Sequence, residues 1–284
     1  RVRIQGRDVS DAQLCEAFET IDAQRGDTPL TYFEVGTLAA FLVMAAQPLD
    51  LAVLEIGLGG RYDAVNIIDG DVAVITSIAL DHQHWLGDNR EVIGREKAGI
   101  ARAGRPVVCA DPEPPTSLVD YLTEIGAKPY YAGRDFRLHY SRLQHNGERL
   151  CLSVLDAEGH TREWPDLPLP VLPVASVAAA VQTMALLGFT LSPEALAEVM
   201  SALALAGRYQ KLRFRNRDII LDVAHNPAAA HYLADKLKSE RRPCFAVVAI
   251  MADKDVAGFT AALADTIDHW FIGDLTGSAR ALPA

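Results

Sequence analysis

A carboxylate followed directly by a glycine-rich turn is the first place in this chain where residue types and spacing suggest chemistry. Residues 51–56 are apolar except for Glu55, and Gly57, Gly59 and Gly60 follow. An apolar run without alternation predicts a buried parallel strand. A carboxylate at the end of such a strand is costly unless a cation or hydrogen-bond donors meet it. Because ligands of open α/β sheets lie at the carboxyl ends of strands, we predict that Glu55 holds a metal ion beside an anionic ligand.

Two other interpretations of the glycines exist. A glycine-rich turn after a strand is often only a turn. The stretch also looks superficially like a dinucleotide fingerprint, which needs a helix that starts within the glycines. Residues 61–70, which follow, are typical of a loop, so the sequence disfavours a dehydrogenase.

A second apolar strand, predicted over residues 72–78, would deliver Asp81 and His82 to its carboxyl end. If the two strands are neighbours, Glu55 and His82 meet at one edge of the sheet and can share a metal ion. A carboxylate and an imidazole do not by themselves select Mg²⁺ over Mn²⁺ or Zn²⁺. A single histidine after a strand is also often a packed or capping residue.

Lys97 belongs to a helix predicted over residues 89–103, where it lies between Ile93 and Ile100 on the apolar face. One interpretation is a lysine at the edge of this face that extends its amine to solvent. The other is a lysine directed at the metal site, which would need a charge partner or a modification that changes the sign of its charge.

Arg208, Asp222 and His225 form a third group of candidates. Asp222 comes near the end of a strand predicted over residues 219–223, and Asn226 before a proline predicts the start of a helix. An aspartate and a histidine beside a helix N-terminus suit a ribose and a phosphate. The same arrangement is common without a ligand, so these three residues are weak evidence alone.

Alternating helices and strands must position these residues, and they predict a mainly parallel sheet flanked by helices. Short alternating strands between residues 136 and 164 predict a small antiparallel patch. Gly207 marks the expected boundary between a domain of residues 1–206 and a smaller, Rossmann-like α/β domain of residues 207–284. The chain starts without an initiator Met, and its last residues, TGSARALPA, suggest an unfinished domain. We therefore expect part of a longer protein.

The composition limits the class of protein. The 284 residues are 50% hydrophobic and 23% charged, which is ordinary for a soluble globular protein of one or two domains. A net charge of −10 argues against nucleic-acid and anionic-membrane partners. Isolated cysteines, with no signal peptide and no long apolar span, favour a reduced cytoplasmic protein.

Five motifs occur in the order and at roughly the spacing of the folylpolyglutamate synthase family, namely LEIGLGGRYDAVN, SIALDHQHWLG, REKAGI, GRYQ and DVAHNP. Bacterial members of this family commonly double as dihydrofolate synthases, and the family belongs to the Mur-ligase superfamily of ATP-dependent ligases. The resemblance runs from Arg3 to about Asp255. It implies an incomplete Mur-ligase-like central ATPase domain and an incomplete glutamate-ligase domain.

The resemblance implies a role for each candidate residue. Glu55 and His82 match Mg²⁺ ligands. Lys97 matches a lysine that is carbamylated in the family, where the new carboxylate-like group helps to hold a second Mg²⁺. The residues matching those that close over ATP are Arg208, Asp222 and His225. The residues matching the dihydropteroate pocket are Thr31, Phe33, Asp63 and Ala64.

The reaction that the resemblance implies is amide-bond formation. ATP phosphorylates the carboxylate of dihydropteroate or of a tetrahydrofolate derivative, and the amine of L-glutamate then displaces phosphate. The resemblance implies a cytoplasmic enzyme, expected to be a monomer. Two alternatives remain, a Mur-type cell-wall amino-acid ligase with a different acceptor pocket and a non-catalytic pterin-binding fragment.

The sequence departs from the family pattern at several points. Val65 and Asn89 stand where the family usually has threonine, and Ser176 falls where an asparagine near the adenine is often found. The family's P-loop lies upstream of the resemblance, and the sequence contains no glycine-rich loop that ends in Gly-Lys-Ser or Gly-Lys-Thr. We therefore expect these residues to lack the amino-terminal P-loop segment and part of the last domain.

Overall fold

The computed structural model describes residues 2–81, 83–143, 147–240 and 242–275. At the amino terminus, β1 (Arg3–Ile4) and β2 (Arg7–Asp8) form a short antiparallel hairpin. Helices α1 (Asp11–Arg25) and α2 (Tyr32–Ala45) follow and pack against each other around a small apolar cluster. Each helix begins with a capping box, since Ser10 and Thr31 are N-caps whose side chains accept a backbone N–H three residues later.

A three-stranded parallel sheet forms the next layer, as predicted. Its strands, in spatial order, are β3 (Ala73–Ile75), β4 (Pro106–Cys109) and β5 (Lys128–Tyr131). The helices between them are α3 (Gln83–Leu86), α4 (Arg90–Ala98) and α5 (Thr116–Glu124). Apolar residues of α4, α5 and the sheet pack into one buried core. We expected the site at the carboxyl ends of the strands of this sheet.

The prediction of a strand over residues 51–56 is wrong. The segment is extended but pairs with no strand among the described residues, and Val53 is 79% exposed. A strand forms only where a neighbour supplies backbone donors and acceptors. An apolar run in the sequence does not reveal whether that neighbour is present.

Helix α4 ends at Ala98, five residues earlier than predicted. The glycine-rich loop packs against this end: the Arg61 N–H donates to the Glu96 carbonyl at 3.1 Å, and the Asn66 side-chain amide donates to the Gly99 carbonyl at 3.1 Å. Carbonyl groups at the end of a helix need such donors. The tertiary contact therefore ends the helix.

The antiparallel patch is confirmed as a sheet in the order β6 (Arg137–Leu143), β7 (Gly147–Leu155) and β8 (Thr161–Leu167). The predicted turn at residue 146 lies outside the described residues, while Gly159 makes the second turn with a φ of +83°. Helices α6 (Val174–Leu186) and α7 (Pro193–Ala202) cover the sheet with a large apolar core.

Gln182 is a polar residue at the centre of this core, with no exposed surface. Its side chain donates to the Leu155 carbonyl at 2.6 Å and accepts from the Leu155 N–H at 3.0 Å. Strand β6 starts at Arg137, opposite Ser153, so β6 does not extend far enough to pair with Leu155. The amide of Gln182 therefore replaces a strand at this point.

The carboxy-terminal segment, defined here as residues 207–275, starts with an antiparallel hairpin of β9 (Gln210–Phe214) and β10 (Arg217–Leu221). Helix α8 (Pro227–Glu240), strand β11 (Phe245–Val248), helix α9 (Val256–Leu263) and strand β12 (His269–Ile272) follow. Strands β11 and β12 pair in parallel, and α8 and α9 share their apolar core. Among the described residues, none of the helices has the length and apolar character needed to cross a membrane.

We expect Gln182→Leu to lower the free energy of unfolding by about 2–3 kcal/mol, because the partly buried N–H and C=O of Leu155 lose their partner. Chemical denaturation measures this change. Ser176→Ala on the exposed face of the same helix is the control and should stay within about 0.5 kcal/mol of wild type. Equal stability of Gln182→Leu and wild type would contradict the assigned role.

Candidate functional site

A cleft of about 860 Å³ lies between the start of α2, the glycine-rich loop and the outer side of α4. All four residues predicted for the acceptor pocket line it, although they come from two separate parts of the chain: Thr31, Phe33, Asp63 and Ala64. Its walls also contain aromatic and apolar side chains, together with several charged ones. A concave site with an apolar lining and a few polar groups is what a flat heterocyclic ligand requires.

The carboxylate of Asp63 organises the loop beside this cleft. One oxygen accepts the N–H groups of Gly57 and Leu58, both at 3.0 Å, and the other accepts the Val65 N–H at 2.9 Å. Asp63 is thus the N-cap of a 3-10 helix, Ala64–Ile67. Each carboxylate oxygen has two lone pairs, so the oxygen bonded to Val65 can still accept a further donor.

The glycines allow close contact within the protein. A Cβ on Gly57 would lie 2.5 Å from the Phe33 ring, and a Cβ on Gly60 would lie 3.0 Å from the Lys97 carbonyl. Gly59 has a φ of +71°, which favours glycine. Gly57 therefore lets the Phe33 ring approach the loop, and Gly60 lets the loop approach the end of α4.

Lys97 is half-buried on α4, as predicted for an inward-facing residue. Burial lowers the pKa of its amine, and the carboxylate of Asp81 partly offsets this effect. The modification of this amine stays a prediction.

The described residues do not include both members of the predicted pair of Glu55 and His82. Glu55 is exposed in the unpaired segment of residues 51–56, and His82 lies outside the described residues. Among the described residues, the carboxylate of Glu55 makes no hydrogen bond or ion pair, so its oxygens are open to a ligand. The metal-binding role of both residues stays a prediction.

The segment that leads to Asp81 is held by an ion pair between a buried aspartate and a partly exposed arginine, which the sequence did not suggest. Asp111, 3% exposed, accepts the Ile78 N–H at 2.7 Å and pairs with Arg90 at 2.9 Å. Arg90 also donates to the Ile78 carbonyl at 2.9 Å. These contacts fix both backbone groups of Ile78 to the start of α4, the helix that carries Lys97.

Arg208 and Asp222 are neighbours in the carboxy-terminal segment. Asp222 accepts the N–H groups of Tyr209 at 2.7 Å and Ala224 at 2.8 Å. Tyr209 has a φ of +44°, an unusual value for a residue with a side chain, and its buried ring holds it there. Arg208 is exposed next to it, and its guanidinium has no ion pair within the described part of the chain.

The carboxylate of Asp81 contacts three side chains of the carboxy-terminal segment and so connects this segment to the residues before 207. Lys254 donates to one carboxylate oxygen at 2.8 Å, while Asn226 at 3.0 Å and His225 at 3.2 Å contact the other. Asn226 also caps α8, as predicted, by accepting the Ala229 N–H at 2.9 Å. His225 thus contacts Asp81, which directly precedes the candidate His82 in the sequence.

Lys254 was missed in the sequence. Its side chain is only 8% exposed, and burial of an ammonium group requires a partner such as Asp81. The signal in the sequence is a lysine that follows an apolar strand in the stretch MADKD. A lysine at that position is usually solvated, so only the tertiary contact identifies it.

One cluster of three potential metal ligands occurs among the described residues, at the turn between β7 and β8: Asp156, Glu158 and His160. Asp156 is 3% exposed and pairs with Arg162 at 3.0 Å. It also accepts the N–H groups of Glu158 and His160. These bonds explain the cluster as a stabilised turn, which we do not assign to a metal.

A family model of the Mur ligase glutamate ligase domain matches residues 207–283. Dihydrofolate synthase/folylpolyglutamate synthase of Escherichia coli (strain K12) is 41% identical over 279 residues, which are 98% of this chain and 64% of that protein. The Mycobacterium tuberculosis (strain ATCC 25618 / H37Rv) protein of the same name is 33% identical over 313 residues, 99% of this chain and 63% of that protein.

Two solved structures have the same fold. Escherichia coli FolC in complex with DHPP and ADP superposes with a TM-score of 0.88 at 41% identity, over 99% of this chain and 66% of that one. The Yersinia pestis bifunctional folylpolyglutamate synthase/dihydrofolate synthase, complexed with AMPPNP and Mn ion, superposes at 0.87 with 42% identity, over 99% and 65%.

These relatives are longer than the chain, which spans 64% of the Escherichia coli protein. The similarity nevertheless covers nearly every residue of the chain in both sequence and fold. Over nearly its whole length, the chain is similar to members of the dihydrofolate synthase/folylpolyglutamate synthase family.

Proposed function

We propose that the full-length protein that contains this chain is an ATP-dependent ligase that adds L-glutamate to dihydropteroate and to glutamylated folates. The observation that carries this proposal is the cleft that brings Thr31, Phe33, Asp63 and Ala64 together beside α4. The similar Escherichia coli structure contains DHPP and ADP. Another structure, 41% identical, contains Mn, AMPPNP and L-glutamate.

The proposed reaction has two steps. A carboxylate oxygen of the acceptor attacks the γ-phosphorus of ATP, which releases ADP and leaves an acyl phosphate. The glutamate amine then attacks the acyl carbon, phosphate leaves with the bonding electrons, and the amine loses a proton. The protein must bring several anions together, so binding and positioning make a large contribution.

The residues present fit a divalent metal such as Mg²⁺. The Glu55 carboxylate is open to a ligand, and Mg²⁺ prefers oxygen donors. We propose Glu55, together with His82, as ligands, and Lys97 as a further ligand once its amine carries a carbamate. When bound, Mg²⁺ would neutralise charge on the transferring phosphoryl group.

We propose that residues 207–284 form a glutamate-ligase domain that follows an ATPase and folate-binding domain of residues 1–206. The match of the ligase-domain model to residues 207–283 supports this division. Arg208 would bind ATP phosphates with its unpaired guanidinium. Asp222 would fix the backbone beside Arg208 by accepting the Tyr209 N–H. His225 would contribute to ATP binding from its position beside Asp81.

In the acceptor cleft, Phe33 would stack on the pterin ring and Asp63 would accept its N–H groups. Thr31 and Ala64 would complete the walls. Such a protein acts in folate metabolism, and we propose that it is a cytoplasmic monomer.

A glutamate-ligation assay with the full-length protein tests the function. We expect ATP-dependent incorporation of L-glutamate into dihydropteroate and into tetrahydrofolate glutamate, with release of ADP. Ligation of an amino acid to a cell-wall nucleotide precursor, with no reaction on either pterin, would favour a Mur-type cell-wall ligase instead.

We expect Lys97→Ala to abolish ligation while the melting temperature stays close to wild type. The variant cannot form a carbamate, and Lys97 is half-buried but not central to the core. Mass spectrometry of the native wild-type protein measures the modification as added carbon dioxide. A short carboxylic acid should restore part of the activity of the variant by supplying the missing carboxylate.

Lys238→Ala is the matched control, because Lys238 is exposed on α8 and pairs with Asp235 of the same helix. It should retain full activity. Wild-type activity with an unmodified Lys97 would reject the carbamate role.

We expect Asp63→Asn to lower kcat/KM for dihydropteroate relative to kcat/KM for tetrahydrofolate glutamate by about tenfold or more, through loss of a charge-assisted hydrogen bond. The acceptor that already carries glutamate is less affected if it binds in a different orientation. The measurement is the ratio of the two specificity constants in wild type and variant.

The control is Asp50→Asn, an exposed aspartate outside the cleft, which should leave the ratio unchanged. An equal loss with both acceptors would mean that Asp63 only organises the loop through its three backbone bonds.

A further inference from the structure

Most acidic side chains of the acceptor cleft accept hydrogen bonds from backbone N–H groups. Glu34 accepts the N–H of its own N-cap residue at 2.7 Å, and Glu91 accepts the N–H groups at the start of α5 at 2.8 and 3.3 Å. These bonds lower the pKa of both carboxyl groups. Asp63 accepts three N–H groups of the glycine-rich loop. These charges therefore stabilise the walls of the cleft.

The two arginines of the cleft differ in their partners. Arg95 pairs with Glu124 at 3.4 Å and lies over the Tyr121 ring at 4.8 Å. The guanidinium of Arg61 lies 5.2 Å from the centre of the Tyr62 ring and makes no hydrogen bond or ion pair with any described residue. Its donors thus face solvent at the cleft without a protein acceptor.

The backbone of Arg61 is held firmly. Its N–H donates to the Glu96 carbonyl at 3.1 Å, and a Cβ on Gly99 would lie 2.5 Å from the Arg61 Cβ, so only a glycine fits there. The contact of the guanidinium with Tyr62 further restricts the side chain. A cation with a fixed backbone and unpaired donors is well suited to bind an anionic ligand at low entropic cost.

We propose that Arg61 binds a carboxylate of the glutamyl chain already present on a folate acceptor, and so selects glutamylated folates over dihydropteroate. This inference rests on the proposed function. The acceptor carboxylate that reacts must lie near Lys97, which is half-buried, whereas Arg61 and its partner Tyr62 are exposed, Tyr62 by 82%. Dihydropteroate has no carboxylate besides the one that reacts, so Arg61 has no group to bind on it.

The experiment measures kcat and KM of the full-length protein for dihydropteroate, tetrahydrofolate monoglutamate and tetrahydrofolate triglutamate. We expect Arg61→Gln to raise KM for the two glutamylated folates by about fivefold, with kcat and the values for dihydropteroate unchanged. Arg61→Lys should restore part of the affinity, since it keeps the charge but loses the two-pronged geometry. The difference should shrink as ionic strength rises.

Arg95→Gln is the matched control. It removes the same charge from the same cleft, but its guanidinium already has Glu124 as a partner. It should leave the preference among the three acceptors unchanged. A preference that Arg61→Gln does not change, or an equal loss with all three acceptors, would overturn the inference.

A direct binding measurement separates this inference from the proposed function. Trp85 lines the cleft and is 80% exposed, so its fluorescence can report a bound folate. If wild type binds the triglutamate about fivefold more tightly than Arg61→Gln but transfers no glutamate, the proposed function fails and the inference about Arg61 stands. Equal binding by both proteins overturns the inference even if wild type is an active ligase.

Discussion

The contact between the glycine-rich loop and the end of α4 is the constraint on which the candidate site depends. Gly60 and Gly99 have no Cβ, and this lets the loop backbone reach the last carbonyls of the helix. Arg61 and Asn66 then supply the donors that those carbonyls need. One interaction therefore ends the helix of Lys97 and forms one wall of the cleft. A side chain at either glycine would separate the two.

Electrostatics connects this region to the carboxy-terminal segment. Asp81 follows the parallel sheet, yet its carboxylate contacts three side chains from beyond residue 224, of which Lys254 is almost fully buried. A buried ammonium group without this carboxylate would be strongly destabilising. The pair consequently ties the position of α8 to the end of the sheet, and it lies close enough to Lys97 to influence the pKa of that amine.

Much of the architecture could be predicted because it depends on local rules. Alternating helices and strands predicted the parallel sheet, and Asn226 before a proline predicted the start of α8. The strand at residues 51–56 failed because strand formation depends on a partner, and the end of α4 was misplaced because a distant loop supplies its last hydrogen bonds. Both errors concern contacts that depend on residues far apart in sequence.

The sequence by itself determined the fold class, the resemblance to a family and the set of candidate residues, because motif order and residue chemistry are properties of the chain. Only the tertiary structure decided how those residues are used. The carboxylate of Asp63 accepts three backbone N–H groups. Arg61 has a guanidinium at the cleft without a partner among the described residues. Lys254 is buried against Asp81. The physical reason is that hydrogen bonding, burial and charge pairing depend on neighbours that folding brings together from distant positions.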